Sequence, residues 1–160
     1  MSAAISRTVQ VADEAGTGAV ARAVAALARP RDVITLSGPL GAGKTSFARS
    51  FVAGAGGGGE VPSPTFTLVQ MYETPHATIY HFDLYRLENP EDAFEIGIED
   101  AFAEGISMIE WPDRLGRYLP RERLDVVLHP GAQDTERRIE LSASPNWAKR
   151  LTEARLDVRT

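Results

Sequence analysis

The chain has 160 residues, 43% of them hydrophobic, and its 17 basic against 22 acidic side chains leave a net charge of −5. That length supports one domain, residues 1–160, whose core needs no staples. The acidic balance disfavours a protein that tracks a nucleic-acid backbone over its whole surface, and the absence of cysteine excludes disulfides, thiol catalysis and thiolate metal sites. His76, His81 and His129 fit no metal-ligand spacing and read as ordinary core or loop histidines. Met1–Arg7 lacks the basic start and apolar stretch of a signal peptide. No segment reaches the ~18 unbroken apolar residues of a membrane helix, so a soluble, cytoplasmic protein is expected.

Thr8-Val9-Gln10-Val11 alternates as a short strand. Asp13 is placed to cap a helix running to about Ala28, with Glu14 in its first turn and Pro30 beyond its end. Val33–Leu36 is a short, β-branched run bounded by Asp32 and Gly38, the pattern of a buried central strand. A helix from Lys44 to about Val52 follows, then the glycine-rich run Ala53–Gly59, read as a connector. Strands are expected at Phe66–Tyr72 and Thr78–Asp83, and helical material over Pro90–Ala103 opened by Asn89-Pro90. Ile106–Ile109 is a further buried strand ending at Glu110. Arg114, Arg117, Arg121 and Arg123 then fall in a loop that could meet a nucleic acid, an acidic partner or phosphates, or simply solvent. Leu124–Leu128 and Arg138–Leu141 are closing strands, and Ser144-Pro145 starts a last helix whose Trp147, Leu151, Ala154 and Val158 form an apolar stripe expected to pack on its own domain. Strands alternating with helices imply an α/β fold with a mostly parallel central sheet, covered on both faces and finished by antiparallel edge strands.

The chemistry concentrates in Gly38-Pro39-Leu40-Gly41-Ala42-Gly43-Lys44-Thr45, which satisfies the phosphate-loop pattern G-x-x-x-x-G-K-[ST] between a strand and a helix. Gly38, Gly41 and Gly43 let the backbone, with Leu40 and Ala42, wrap a β-phosphate so that consecutive N–H groups point inward at a helix mouth. Lys44 would bridge β- and γ-oxygens, and Thr45 would offer its hydroxyl to Mg²⁺. Such a site needs a carboxylate at the end of a neighbouring strand, and both Asp83 and Glu110 qualify. No Asn-Lys-x-Asp guanine motif is present, so ATP is the expected nucleotide. No arginine finger or water-positioning glutamine neighbours the loop in sequence, so intrinsic hydrolysis should be slow.

Several segments together resemble the TsaE (YjeE) ATPases of bacterial tRNA threonylcarbamoyladenosine synthesis. They are Leu40–Thr45, Ser63-Pro64-Thr65-Phe66-Thr67-Leu68-Val69, Tyr80-His81-Phe82-Asp83-Leu84-Tyr85-Arg86-Leu87, Gly97-Ile98 and Ile109-Glu110-Trp111-Pro112, in the family's order between about Glu14 and Pro112. The resemblance implies a P-loop ATPase with ATP/ADP and Mg²⁺ as cofactors and the proteins TsaB and TsaD as partners, with tRNA reached through that complex. It implies Thr45 and Glu110 as Mg²⁺ ligands, Asp83 near the γ-phosphate, Thr65 in a nucleotide-sensing switch and Glu14 near the base or ribose. Ser46, where the family often has a second threonine, keeps the hydroxyl. Trp111, directly after Glu110, is expected to lie against the nucleotide site. A small-molecule kinase with the arginine segment as lid, and a nucleotide-switch binding module, are the alternatives.

Overall fold

A computed structural model describes residues 5–39, 41–57 and 68–153. Seven strands form one sheet in the order β1-β7-β6-β2-β5-β4-β3. They are β1 (Ile5–Val11), β2 (Val33–Ser37), β3 (Val69–Glu73), β4 (Thr78–Asp83), β5 (Ile106–Glu110), β6 (Leu124–Pro130) and β7 (Arg137–Ala143). The four central strands β6-β2-β5-β4 run parallel, whereas β7, β1 and β3 join through antiparallel ladders. The sheet is thus parallel at its centre and finished by antiparallel ladders at both edges, as the sequence pattern leads one to expect.

Alternation along the central strands splits the core into two layers. Ile34, Leu36, Ile79, Ile106 and Met108 face one side and pack with Val20 and Val24 of helix α1 (Glu14–Leu27) and Phe47 and Phe51 of α2 (Lys44–Gly54). Val33, Phe82 and Ile109 face the other, against Ala93, Leu115, and Ile98 and Ala101 of α3 (Ile98–Glu104). Asp13 caps α1 as its residue type dictates, its carboxylate accepting the Gly16 N–H at 2.9 Å. Helices α1 and α2 touch closely at Gly18, where an added Cβ would stand 2.9 Å from the Ser50 hydroxyl.

The helical stretch expected over Pro90–Ala103 is two elements. A 3-10 segment, Pro90–Ile96, ends at Gly97, whose φ of 87° breaks the helix before α3 begins. The arginine segment is not an open loop either, because 3-10 turns span Pro112–Tyr118 and bury Leu115 completely. Helix α4 (Pro145–Glu153) seats Trp147 and Leu151 in the α1–α2 layer, so the described half of its stripe packs on its own sheet. Arg150 locks it there, donating to both Asp32 oxygens at 2.6 and 2.8 Å and lying 4.1 Å from the Trp147 ring centroid. Ala154, Val158, residues 58–67 and the start of the expected strand Phe66–Tyr72 lie outside the described residues. Among the described residues no helix is long and apolar enough to cross a membrane.

Candidate functional site

Strand β2 delivers the chain to the carboxyl edge of the parallel strands, where open α/β sheets bind ligands. Gly38 leaves it with φ 139°, and a Cβ there would collide with the Leu128 carbonyl, so only glycine fits. Gly43, with φ 104°, is the N-cap of α2 and provides no side-chain cap. Among the described residues the first N–H groups of α2 meet no side-chain acceptor, an arrangement that suits a helix mouth to an anion. Thr45 is half-buried in that first turn.

Lys44 is only 7% exposed. Its Nζ donates to the Gly38 carbonyl at 2.6 Å and stands 4.8 Å from the Trp111 ring centroid. The ammonium is thus held inside the turn by a carbonyl and an aromatic face, both of which an entering phosphate can replace. Trp111 adopts a left-handed backbone (φ 60°, ψ 54°), uncommon for a bulky residue, and its ring meets Tyr85 at 5.0 Å.

The two acids suggested by sequence are neighbours. Parallel pairing of β4 with β5 sets Asp83 opposite Glu110, and β5 with β2 sets Glu110 opposite Leu36. All three face the α2 side, so both carboxylates border the turn that follows β2. Glu110 is buried, and His81 Nε2 lies 2.7 Å from its Oε2. His81, itself 1% exposed, is therefore tied to the acid and is not an isolated core residue. Burial pushes the Asp83 carboxyl above the ordinary aspartate range, and Glu110 pushes the same way. The Tyr85 N–H, 3.2 Å from Oδ1, with His81 and Lys44, pulls partly back. A carboxyl raised in this way is suited to receive a proton.

On the other side of the turn a cavity of about 270 Å³ is lined by Glu14, Thr17, Gly41, Ser46, Asp134 and Arg137 among others. Ser46 donates to Glu14 at 2.9 Å, which joins the starts of α1 and α2. Arg137 is the site residue that sequence reasoning missed. It donates to the backbone carbonyls of Ala42 and Gly41, each at 3.0 Å, and to those of Asp134 and Glu136 at 2.7 and 2.8 Å. These bonds turn the loop's carbonyls outward and occupy the guanidinium, so it acts as a strap and not as a free finger. Its only sequence signal is an arginine opening a closing strand.

The structure thus brings together Glu14, Gly38, Gly41, Ala42, Gly43, Lys44, Thr45, Ser46, Asp83, Glu110 and Trp111, whereas Leu40 and Thr65 lie outside the described residues. Among the described residues no group of three or more His, Cys, Asp or Glu side chains could hold a metal alone. Glu110 supplies a carboxylate and Thr45, in the first turn of α2, a hydroxyl, oxygen donors of the kind Mg²⁺ completes with phosphate and water.

The family model described as "Threonylcarbamoyl adenosine biosynthesis protein TsaE" matches residues 11–139. The chain is 40% identical over 138 residues to the Bacillus subtilis tRNA threonylcarbamoyladenosine biosynthesis protein TsaE, covering 86% of this chain and 85% of that protein. It is 43% identical over 109 residues to its Rickettsia bellii counterpart of the same description, covering 68% and 76% respectively. The crystal structure of YdiB from Bacillus subtilis superposes with a TM-score of 0.77 at 30% identity, covering 96% of this chain and 97% of that one. The chain belongs to the TsaE family.

Proposed function

We propose that this chain is a Mg²⁺-dependent ATPase of tRNA threonylcarbamoyladenosine biosynthesis, whose nucleotide cycle supports turnover of a TsaB–TsaD complex in the cytoplasm. The observation that carries this reading is the uncapped α2 mouth holding Lys44 beside two carboxylates on adjacent parallel strands. In this reading Gly38–Thr45 is a P-loop. Backbone N–H groups of Gly41–Ser46 bind the β-phosphate, and Lys44 leaves the Gly38 carbonyl for β- and γ-oxygens. The Glu14–Arg137 cavity accepts ribose and base. Thr45 and Glu110 would hold Mg²⁺, which supplies charge neutralisation across the phosphates when bound. Asp83 orients water at the γ-phosphate and takes up its proton. The Arg137 guanidinium, already spent on the Gly41 and Ala42 carbonyls, is not free to neutralise transition-state charge, which fits slow turnover without partners.

The kinase alternative requires the arginine segment to close as a lid. Arg123 is bound to Asp125 at 2.8 Å and to the Pro120 carbonyl at 2.7 Å, and Leu115 anchors the segment, which counts against it. Phosphate release from ATP with and without purified TsaB–TsaD separates the readings. Strong stimulation is expected. No stimulation would favour a nucleotide switch, and a phosphorylated acceptor would favour a kinase.

Trp111 gives a direct optical reporter. Mg·ADP displaces the Lys44 ammonium from its ring, whereas Trp147 is fully buried against Arg150 far along the chain. Intrinsic fluorescence is expected to change on Mg·ADP addition in wild type and Trp147→Phe but not in Trp111→Phe. A response that follows Trp147 instead contradicts the site.

A further inference from the structure

We infer that His81 is a positioning residue that fixes which oxygen of Glu110 is offered to the metal, an inference that rests on the metal role of Glu110 proposed above. His81 lies two residues before Asp83 on β4, on the same sheet face, one pleat behind the Asp83–Glu110 pair. It is 1% exposed, and its Nε2 is 2.7 Å from Glu110 Oε2. A carboxylate only accepts, so Nε2 carries the hydrogen and donates. Among the described residues no donor meets the other oxygen, Oε1, while the backbone carbonyl of Glu110 is taken by the Leu84 N–H at 3.1 Å. Among the described residues the carboxylate therefore has one oxygen fixed and one without a donor. A buried side chain with a single free oxygen presents one orientation to a cation, and a small octahedral ion demands such orientation.

The cost of this arrangement is visible. Among the described residues the buried His81 Nδ1 has no hydrogen-bond partner. An apolar residue would fill the same place without an orphaned nitrogen, so packing alone does not account for an imidazole there. The Nε2–Glu110 bond is the interaction an apolar residue could not make.

The test compares His81→Gln, whose amide N–H reaches about as far as Nε2, with His81→Asn and His81→Leu, which do not reach Glu110. Binding of Mn²⁺ to the ADP-bound protein is read by the paramagnetic resonance of free Mn²⁺, and ADP affinity is measured in parallel without metal. The Asn and Leu variants are expected to weaken Mn²⁺ about tenfold or more, with metal-free ADP affinity unchanged and Gln restoring most of the loss. Wild-type Mn²⁺ affinity in a folded Asn or Leu variant, or equal losses in Gln and Asn, would overturn the inference. Nitrogen-15 spectra of the wild-type ring need no variant: a protonated Nε2 is expected, and a bare Nε2 overturns the inference even if the variants fail to fold. Glu110→Gln separates the two levels. If it leaves Mn²⁺ binding intact, the metal role of Glu110 fails; if it abolishes binding while the His81 variants retain it, only the role of His81 fails.

Discussion

Lys44→Ala is expected to lower ATP hydrolysis by roughly two to three orders of magnitude, the scale for losing one preorganised charge-stabilising donor. The substitution removes an ammonium held 2.6 Å from the Gly38 carbonyl and 4.8 Å from the Trp111 ring. In the free protein it forfeits one charge-assisted bond and one cation–aromatic contact, together about 2 kcal/mol. Gly38, Gly41 and Gly43 keep their backbone geometry, and Arg137 still straps Gly41 and Ala42. The fold should therefore survive, with circular dichroism unchanged while phosphate release disappears. Turnover at the wild-type rate in the folded variant would remove Lys44 from the chemistry and the phosphate role of the turn with it.

Exchanging the two carboxylates one at a time should separate metal binding from proton transfer. Glu110→Gln is expected to raise the Mg²⁺ concentration needed for nucleotide binding, because an amide oxygen carries no charge to offset the cation. Asp83→Asn should leave ATP binding near normal and lower the rate by about 10²–10⁴, the usual worth of a positioned base. Since burial and Glu110 raise the Asp83 carboxyl, the acid limb of the rate profile should lie above the ordinary value of 3.8 and vanish in the Asn variant. Stability moves the other way. A carboxyl raised in the folded state favours folding at low pH, and that contribution is lost as pH rises through its folded value. At neutral pH ionised Asp83 is thus a burden, and Asp83→Asn should raise the melting temperature there. The gain should fade as pH falls below 3.8, where both folded and unfolded wild type are protonated. The reverse assignment, with Asp83 governing Mg²⁺ and Glu110 only the rate, would show in a magnesium titration.

What the sequence made legible follows from local physics. Asp13 announces the start of α1, the β-branched run Val33–Leu36 announces a central strand, and the glycine spacing of Gly38–Thr45 announces a turn opening a helix. Asp83 and Glu110 both ended apolar runs, but neither could be preferred from the chain alone. Their adjacency depends on the parallel register of β4 with β5, a long-range fact that alternation does not encode. The same holds for His81, which looks like a core histidine until that register puts Glu110 beside it. Arg137 is remote from the loop in sequence, and only the β6–β7 pairing carries it there. Local signals also misled. The helical pattern over Pro90–Ala103 contained the Gly97 break, and Arg114–Arg123 read as loop because 3-10 turns have no apolar periodicity long enough to register.

The central claim is that nucleotide phosphates sit at the mouth of α2, with the cation between Thr45 and Glu110. A crystal structure of the protein with ADP and Mn²⁺, phased to show the anomalous signal of manganese, tests it directly. A manganese peak is expected at roughly 2.1 Å from the Thr45 hydroxyl oxygen, with Glu110 bound to it directly or through water and Lys44 moved from the Gly38 carbonyl onto a phosphate. Manganese and phosphates found away from the Gly38–Thr45 turn, with Lys44 still on Gly38, would contradict it.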